Sequence, residues 1–145
     1  MKDTLQPGLT YRFSFRVPGS KTVPHLYPES AMFRQMPDVL ATGFMVGLME
    51  WACIEAMRPH LDWPAEQSLG VQVNVSHLAA TPPGLTVTVD VKLEQVDGRR
   101  LTFSISAHDG IDKIAEGTHE RFVIDRERFD ARVADKSQRA SRTAP

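Results

Sequence analysis

Residues 10–17, TYRFSFRV, alternate polar and apolar side chains, and Pro18 and Gly19 follow. Such alternation predicts a strand with one buried face, ended by the turn residues. The pattern returns four times. Val71, Val73 and Val75 alternate with Gln72, Asn74 and Ser76, and His77 continues the apolar stripe. After Pro82, Pro83 and Gly84, Leu85, Val87, Val89, Val91 and Leu93 alternate with polar residues. The hairpin signals Asp97-Gly98 and Asp109-Gly110 bracket a run of Leu101, Phe103, Ile105 and Ala107, and a last strand reaches about Ile124. One wet and one dry face per strand is the mark of an antiparallel sheet.

Residues 41–57, ATGFMVGLMEWACIEAM, hold no proline and are apolar nearly all round. This predicts a helix buried on most sides, stopped at Arg58-Pro59. Residues 62–67 read as loop. Residues 20–38 are irregular, because Pro24, Pro28 and Pro37 forbid a continuous helix. That stretch still carries His25, Leu26, Tyr27, Met32, Phe33 and Met36. A long loop with apolar side chains either covers a site as a lid or packs on the edge of the core. Residues 126–133 suit a short charged helix, and 136–145, with almost no apolar residue, are expected to fray.

A helix this apolar has to be covered by the dry face of the sheet. The expected architecture is therefore α+β, a hotdog fold with a curved antiparallel β-sheet wrapped around a long central helix. We expect a single domain over 1–135 with a lid segment at 20–38 and a flexible tail at 136–145. Sheet edges and one helix flank stay open in such a unit, so a homodimer is expected.

Composition narrows the partners. In 145 residues, 41% are hydrophobic and 24% charged, with a net charge of -1. That is globular, and it lacks the clustered basic excess of a nucleic-acid binder. No apolar run approaches the ~20 residues of a bilayer span, and MKDTLQPGLT lacks the apolar core of a signal peptide. We expect a cytoplasmic protein without nucleic-acid or membrane partners. The lone Cys53 excludes an internal disulfide, and its apolar setting suits a small buried hydrophobe.

A few polar residues interrupt the apolar pattern. Glu50 sits on the apolar helix, where an unpartnered carboxylate is costly to bury. It marks either one wet stripe or a group that meets a ligand. Gly43, Gly47 and Glu50 share one helix side, and two glycines there invite close approach of another helix or of a substrate. Thr42 at the helix start is either a cap or a hydroxyl aimed at chemistry, next to amides that stabilise negative charge. His77 points inward, as a structural histidine or as an acid–base group beside a carboxylate. His25, His60, His108 and His119 show no zinc-site spacing, and no nucleotide loop or nucleophile elbow occurs. We expect neither metal nor cofactor.

The strings HLYPES, ATGFMVGLMEWAC, SLG…SH, AATPPGLTVTV, GRRL…SAHDG and GTHER resemble the fluoroacetyl-CoA thioesterase family, from the first residues to about Ile124. The resemblance implies a hotdog homodimer that hydrolyses a small acyl-CoA and, in fluoroacetate producers, gives self-resistance. It implies Thr42, Glu50 and His77 as catalytic residues, with His77 acting on the fluorinated α-carbon. Gly70 is implied as a backbone contact to the acyl group and Arg121 as a residue at the acyl end. An aromatic lid matches at Phe33, while its second position holds Met36, a departure. Arg34 and Gln35 also differ from the pattern. Lys21, Arg34, Arg99 and Arg100 are candidates for the CoA phosphates. The competing readings are a broader short-chain thioesterase, a hydratase on the same fold, and a non-catalytic acyl-CoA-binding hotdog protein.

Overall fold

A computed structural model gives the structure of the chain and describes residues 1–143. The alternating runs become five antiparallel strands, β1 (Thr10–Arg16), β2 (Glu66–His77), β3 (Thr86–Asp97), β4 (Arg100–His108) and β5 (Lys113–Asp125), in the order β1-β3-β4-β5-β2. Their dry stripes are those of the sequence. Val87, Val89, Val91 and Leu93 of β3 and Leu101, Phe103, Ile105 and Ala107 of β4 are buried. Against them lies helix α2 (Thr42–Met57), which buries Met45, Leu48, Met49, Ala52, Cys53, Ala56 and Met57. Phe13 and Phe15 of β1 close one side by packing on Trp51, with ring centroids 4.6 and 6.0 Å apart. This is the helix-in-sheet arrangement of the hotdog fold.

The sheet does not wrap the helix completely. Thr42, Gly43, Gly47 and Trp51 are exposed along one flank of α2. β2 is an edge strand, and its Val71 and Val73, apolar residues of the predicted inward stripe, are 48% and 43% exposed. Its register against β5 shifts between Gly70 and Gln72, so Val71 has no partner in the ladder. Such a bulge bends a strand and changes which residues share a face. The inward set is therefore Ser68 and Gly70 before the bulge and Val73, Val75 and His77 after it, opposite inward residues of β5. The loop expected over 62–67 is shorter, because β2 already starts at Glu66.

Residues 20–38 leave and return through a closed neck. Val23 N donates to Val39 O, Ala41 N to Lys21 O, and Thr22 bridges Leu40. Within the excursion one helical turn forms, α1 (Ala31–Arg34), whose Phe33 amide donates to the Ser30 hydroxyl.

The C-terminal helix corrects an expectation. Instead of ending near 133, α3 spans Arg126–Thr143, across most of the segment expected to fray. It buries no residue, and it carries the i,i+4 ion pairs Arg126–Asp130 and Arg139–Asp135. A helix polar all round is sustained by such pairs and by good helix formers, which a search for apolar periodicity does not detect. The end of the expected tail, residues 144 and 145, lies outside the described residues.

Candidate active site

Thr42 is the first residue of α2, but it is not the cap. The cap is Ala41, with extended backbone and no side-chain cap bond. The threonine hydroxyl is thereby released, and Oγ1 lies 2.8 Å from Nδ1 of His77, the last residue of β2. The other ring nitrogen, Nε2, is buried without a partner among the described residues. Burial pushes the His77 pKa down, opposed more weakly by the backbone at Ala79, so the ring favours its neutral form. Beside this pair, the first-turn amides of α2 have no intrahelical acceptor and suit an anionic oxygen. The chain before α2 is held by a buried clasp. Leu40 N donates to Thr81 O, and the Thr81 hydroxyl donates to Asp109.

Glu50 belongs to a second cluster. Its Oε2 is 3.5 Å from Nη1 of Arg121, a guanidinium that is only 1% exposed. Arg121 donates from Nε to the Ser68 hydroxyl and from Nη2 to the Ser68 carbonyl, both at 2.8 Å. Its Nη1 lies 3.1 Å from Nε2 of His119, whose Nδ1 is 2.8 Å from the Gln72 carbonyl. Gly70 closes the cluster. A Cβ on it would stand 3.1 Å from His119 Cε1 and 3.5 Å from both Arg121 Nη1 and Glu50 Oε1. Burial, opposed by the Glu50 carboxylate, lowers the Arg121 pKa from its very high ordinary value, and the guanidinium remains a cation.

The three polar residues of the helix and strand thus fall into two groups. Thr42 and His77 touch, and Glu50, Arg121 and Gly70 form a separate cluster. Eight residues of helix separate Thr42 from Glu50, about 12 Å along the axis.

The sequence profile of the fluoroacetyl-CoA-specific thioesterases, FlK, matches residues 24–127. The chain belongs to this family. A fluoroacetyl-CoA thioesterase of Streptantibioticus cattleyicolor is 58% identical over 137 residues, 94% of this chain and 98% of that protein. A solved structure of a mutant fluoroacetyl-CoA thioesterase FlK in complex with fluoroacetate superposes with TM-score 0.88 at 57% identity, covering 91% of this chain and 98% of that one. A thioesterase superfamily member from Thermus thermophilus gives TM-score 0.84 at 26% identity, covering 96% and 98%. The protein is an acyl-CoA thioesterase of hotdog fold.

Leu26 packs onto α2 where a Cβ of Gly43 would be, with its Cδ2 3.1 Å from that position. One of the two helix glycines is thus explained by the packing of Leu26. Gly47 faces open space and lines a cleft of about 200 Å³ with Phe15, Lys21, Phe44 and Trp51, among others. Phe33 stacks on Tyr27 with centroids 5.5 Å apart, while Met36 is half exposed. The phosphate candidates are scattered. The Lys21 ammonium lies 4.7 Å above the Phe44 ring, Arg34 donates to the Pro28 carbonyl, and Arg100 pairs with Glu120. Arg99 shares a cleft with Arg128 and Arg132 of α3. A concavity of about 910 Å³ lies on the outer polar face of the sheet, lined by Arg12, Asp90, Ser104 and Ser106 among others.

Cys53 is fully buried, and burial pushes its thiol up to about 12, as suits a packing residue. Among the described residues no group of three or more His, Cys, Asp or Glu is placed to hold a metal ion. Likewise, no helix there is long and apolar enough to cross a membrane. Sequence reasoning weighed His119 only for metal-site spacing and passed over Ser68, both buried on Arg121. A usable signal existed for the first, since Ala115, Gly117, His119 and Arg121 alternate with polar residues at period two.

Proposed function

We propose that the protein hydrolyses fluoroacetyl-CoA to fluoroacetate and CoA, and that it works as a homodimer in the cytoplasm, protecting the cell from fluoroacetate. The observation that carries the catalytic reading is the Thr42 hydroxyl 2.8 Å from a half-buried, neutral-favouring His77 at a helix N-terminus. This is a hydroxyl–base pair beside donors suited to a developing oxyanion.

The two clusters come together across the dimer. β2 offers an unpaired edge with exposed valines, and Thr42, at the start of the uncovered flank of α2, touches its last residue, His77. Two copies of β2 that pair antiparallel about a twofold near Val73 and Asn74 set His77 of one protomer opposite the partner's Gly70. The Thr42–His77 pair then faces the partner's Glu50 and the partner's Arg121. This arrangement closes a gap of about 12 Å that one protomer leaves open.

In this site the first-turn amides of α2 and the Thr42 hydroxyl receive the thioester oxygen as it becomes anionic. Glu50, oriented by Arg121, accepts a hydrogen bond from the water whose oxygen adds to the carbonyl carbon. The C–S bond breaks, CoA leaves as thiolate and takes a proton from solvent, and the water oxygen ends in the product carboxylate. His77 takes the proton released as water adds. The lid over 20–38 excludes bulk water from the acyl group. Fluorine and hydrogen differ little in size, so selectivity rests on polarity and α-carbon acidity rather than on fit.

The experiment is thiol release by the purified protein from fluoroacetyl-CoA, acetyl-CoA and crotonyl-CoA. Turnover of fluoroacetyl-CoA, with His77→Ala slower by at least about 100-fold, supports the reading. Hydration of crotonyl-CoA without thiol release, or binding of CoA esters without turnover, defeats it.

A further inference from the structure

We propose that His119 is a positioning residue for the thioesterase reaction, a neutral clamp that grips the Gln72 carbonyl with one ring nitrogen and the Arg121 guanidinium with the other, and so sets where the Glu50 carboxylate stands. The proposal rests on the reading of Glu50 as the catalytic carboxylate.

The partners dictate the tautomer. A carbonyl oxygen only accepts, so the 2.8 Å contact to Gln72 requires a proton on Nδ1. A guanidinium only donates, so the 3.1 Å contact to Arg121 Nη1 requires a bare lone pair on Nε2. Both side chains are 1% exposed, so water cannot replace either partner. The clamp is tied to the backbone where β2 departs from its register, between Gly70 and Gln72. Gly70 is the space that lets it close, since a Cβ there would press on His119 Cε1 at 3.1 Å. Arg121 is gripped at three points, Ser68 Oγ, Ser68 O and His119 Nε2, and Glu50 meets the remaining side of Nη1. Removing His119 frees the guanidinium end that faces Glu50.

Burial favours this form, and the charges around the ring divide. Arg121 on β5 and Glu50 on α2 face it, the neutral Cys53 thiol of α2 lies near both, and Glu120 is its neighbour on the outer face of β5. Burial, the largest cause, pushes the His119 pKa down and Arg121 pushes it further, against the Gln72 carbonyl, Glu50 and Glu120, which raise it; the net direction is down. A proton on Nε2 would set imidazolium against guanidinium at 3.1 Å and break the clamp. Acid therefore disorders the Glu50 half of the site independently of His77.

The test uses the intact protein labelled with 15N-histidine, together with two variants. The imidazole nitrogens of one histidine, assigned by its loss in His119→Asn, are expected to show Nδ1 protonated and Nε2 bare at neutral pH. His119→Asn keeps a donor near Nδ1 but offers Arg121 no acceptor, whereas His119→Gln places an oxygen near Nε2. His119→Asn is expected to lose about 10–100-fold in kcat while KM moves much less, with a less steep acid limb, and His119→Gln to recover part of the loss. A protonated Nε2 in the wild type, or wild-type kcat and pH profiles in both variants, overturns the proposal. A wild-type protein that hydrolyses no acyl-CoA overturns the reading of Glu50 and the catalytic part of this one, and the tautomer readout still tests the clamp.

Discussion

Replacing Gly70 by alanine adds a single methyl group at a point where the structure has no room for it. The new Cβ would lie 3.1 Å from His119 Cε1, against the ~3.5–4.0 Å of a relaxed carbon contact. The ring cannot swing away, since Nδ1 is held by Gln72 and Nε2 by Arg121. Nor does Arg121 yield easily, fixed as it is on Ser68 through two bonds of 2.8 Å. The displacement therefore passes into Arg121 Nη1 and Glu50 Oε1, each 3.5 Å from the same Cβ. Two opposed terms set the stability. Alanine in a strand is favoured over glycine by about 0.5–1 kcal/mol, and overpacking a tight site costs about 1–3 kcal/mol. The net loss is small, about 0–2.5 kcal/mol, so the variant folds. Activity is the more sensitive readout, because an error of about 1 Å in a reacting group costs about 100-fold. A few tenths of an ångström then predicts a kcat/KM lower by about tenfold for fluoroacetyl-CoA, with His119 ring resonances displaced. Steady-state kinetics and urea unfolding measure both quantities. Wild-type kcat/KM in a folded Gly70→Ala protein would refute the reasoning that this cluster sets the geometry of Glu50.

Three further outcomes follow from the same geometry. The pKa values of His77 and His119 are both pushed down by burial, so below the unfolded value of about 6.5 the unfolded chain takes protons that the native state refuses. Stability is then full above about pH 6.5 and falls as the pH drops below it, by at most ~1.4 kcal/mol per unit for each histidine and less for half-buried His77; urea midpoints on either side of pH 6.5 check it, and rising stability toward acid contradicts it. Gly47→Ala meets open space within the protomer and should stabilise the helix by about 1 kcal/mol, but on the proposed dimer face it weakens association, which sedimentation equilibrium reads as more monomer. Met36→Phe sets an aromatic ring in the segment proposed as a lid and should raise the preference for fluoroacetyl-CoA over acetyl-CoA by about 2–12-fold, as one aromatic contact of ~0.5–1.5 kcal/mol allows; an unchanged ratio removes Met36 from recognition.

Much of the fold was legible because its elements announce themselves through burial. Val87 to Leu93 and Leu101 to Ala107 alternate since one sheet face packs on α2, and α2 is apolar nearly all round since the sheet curls about it. What escaped was decided by interactions without a hydrophobic period. α3 is held by Arg–Asp pairs along its own surface, and Val71 slips from the ladder through a bulge that leaves the apolar alternation of β2 intact. At the site, Glu50, Thr42 and His77 stood out because each interrupts an apolar pattern. Their grouping did not, since it depends on which end of α2 lies over which end of β2. Thr42 looked like a cap because threonine caps helices, but the backbone turns into the helix one residue earlier, at Ala41 with φ -70 and ψ 140. His119 was weighed only for metal-site spacing, which does not reveal that its flanking Thr118 and Glu120 point away from the core while the imidazole points in.

The central claim is that this site hydrolyses a fluorinated acyl-CoA in preference to its near-isosteric counterpart. The most direct measurement is the ratio of kcat/KM for fluoroacetyl-CoA and acetyl-CoA with the purified protein. The site described here predicts a ratio above about 100, more than pocket size alone can produce. Equal cleavage of the two thioesters would contradict it.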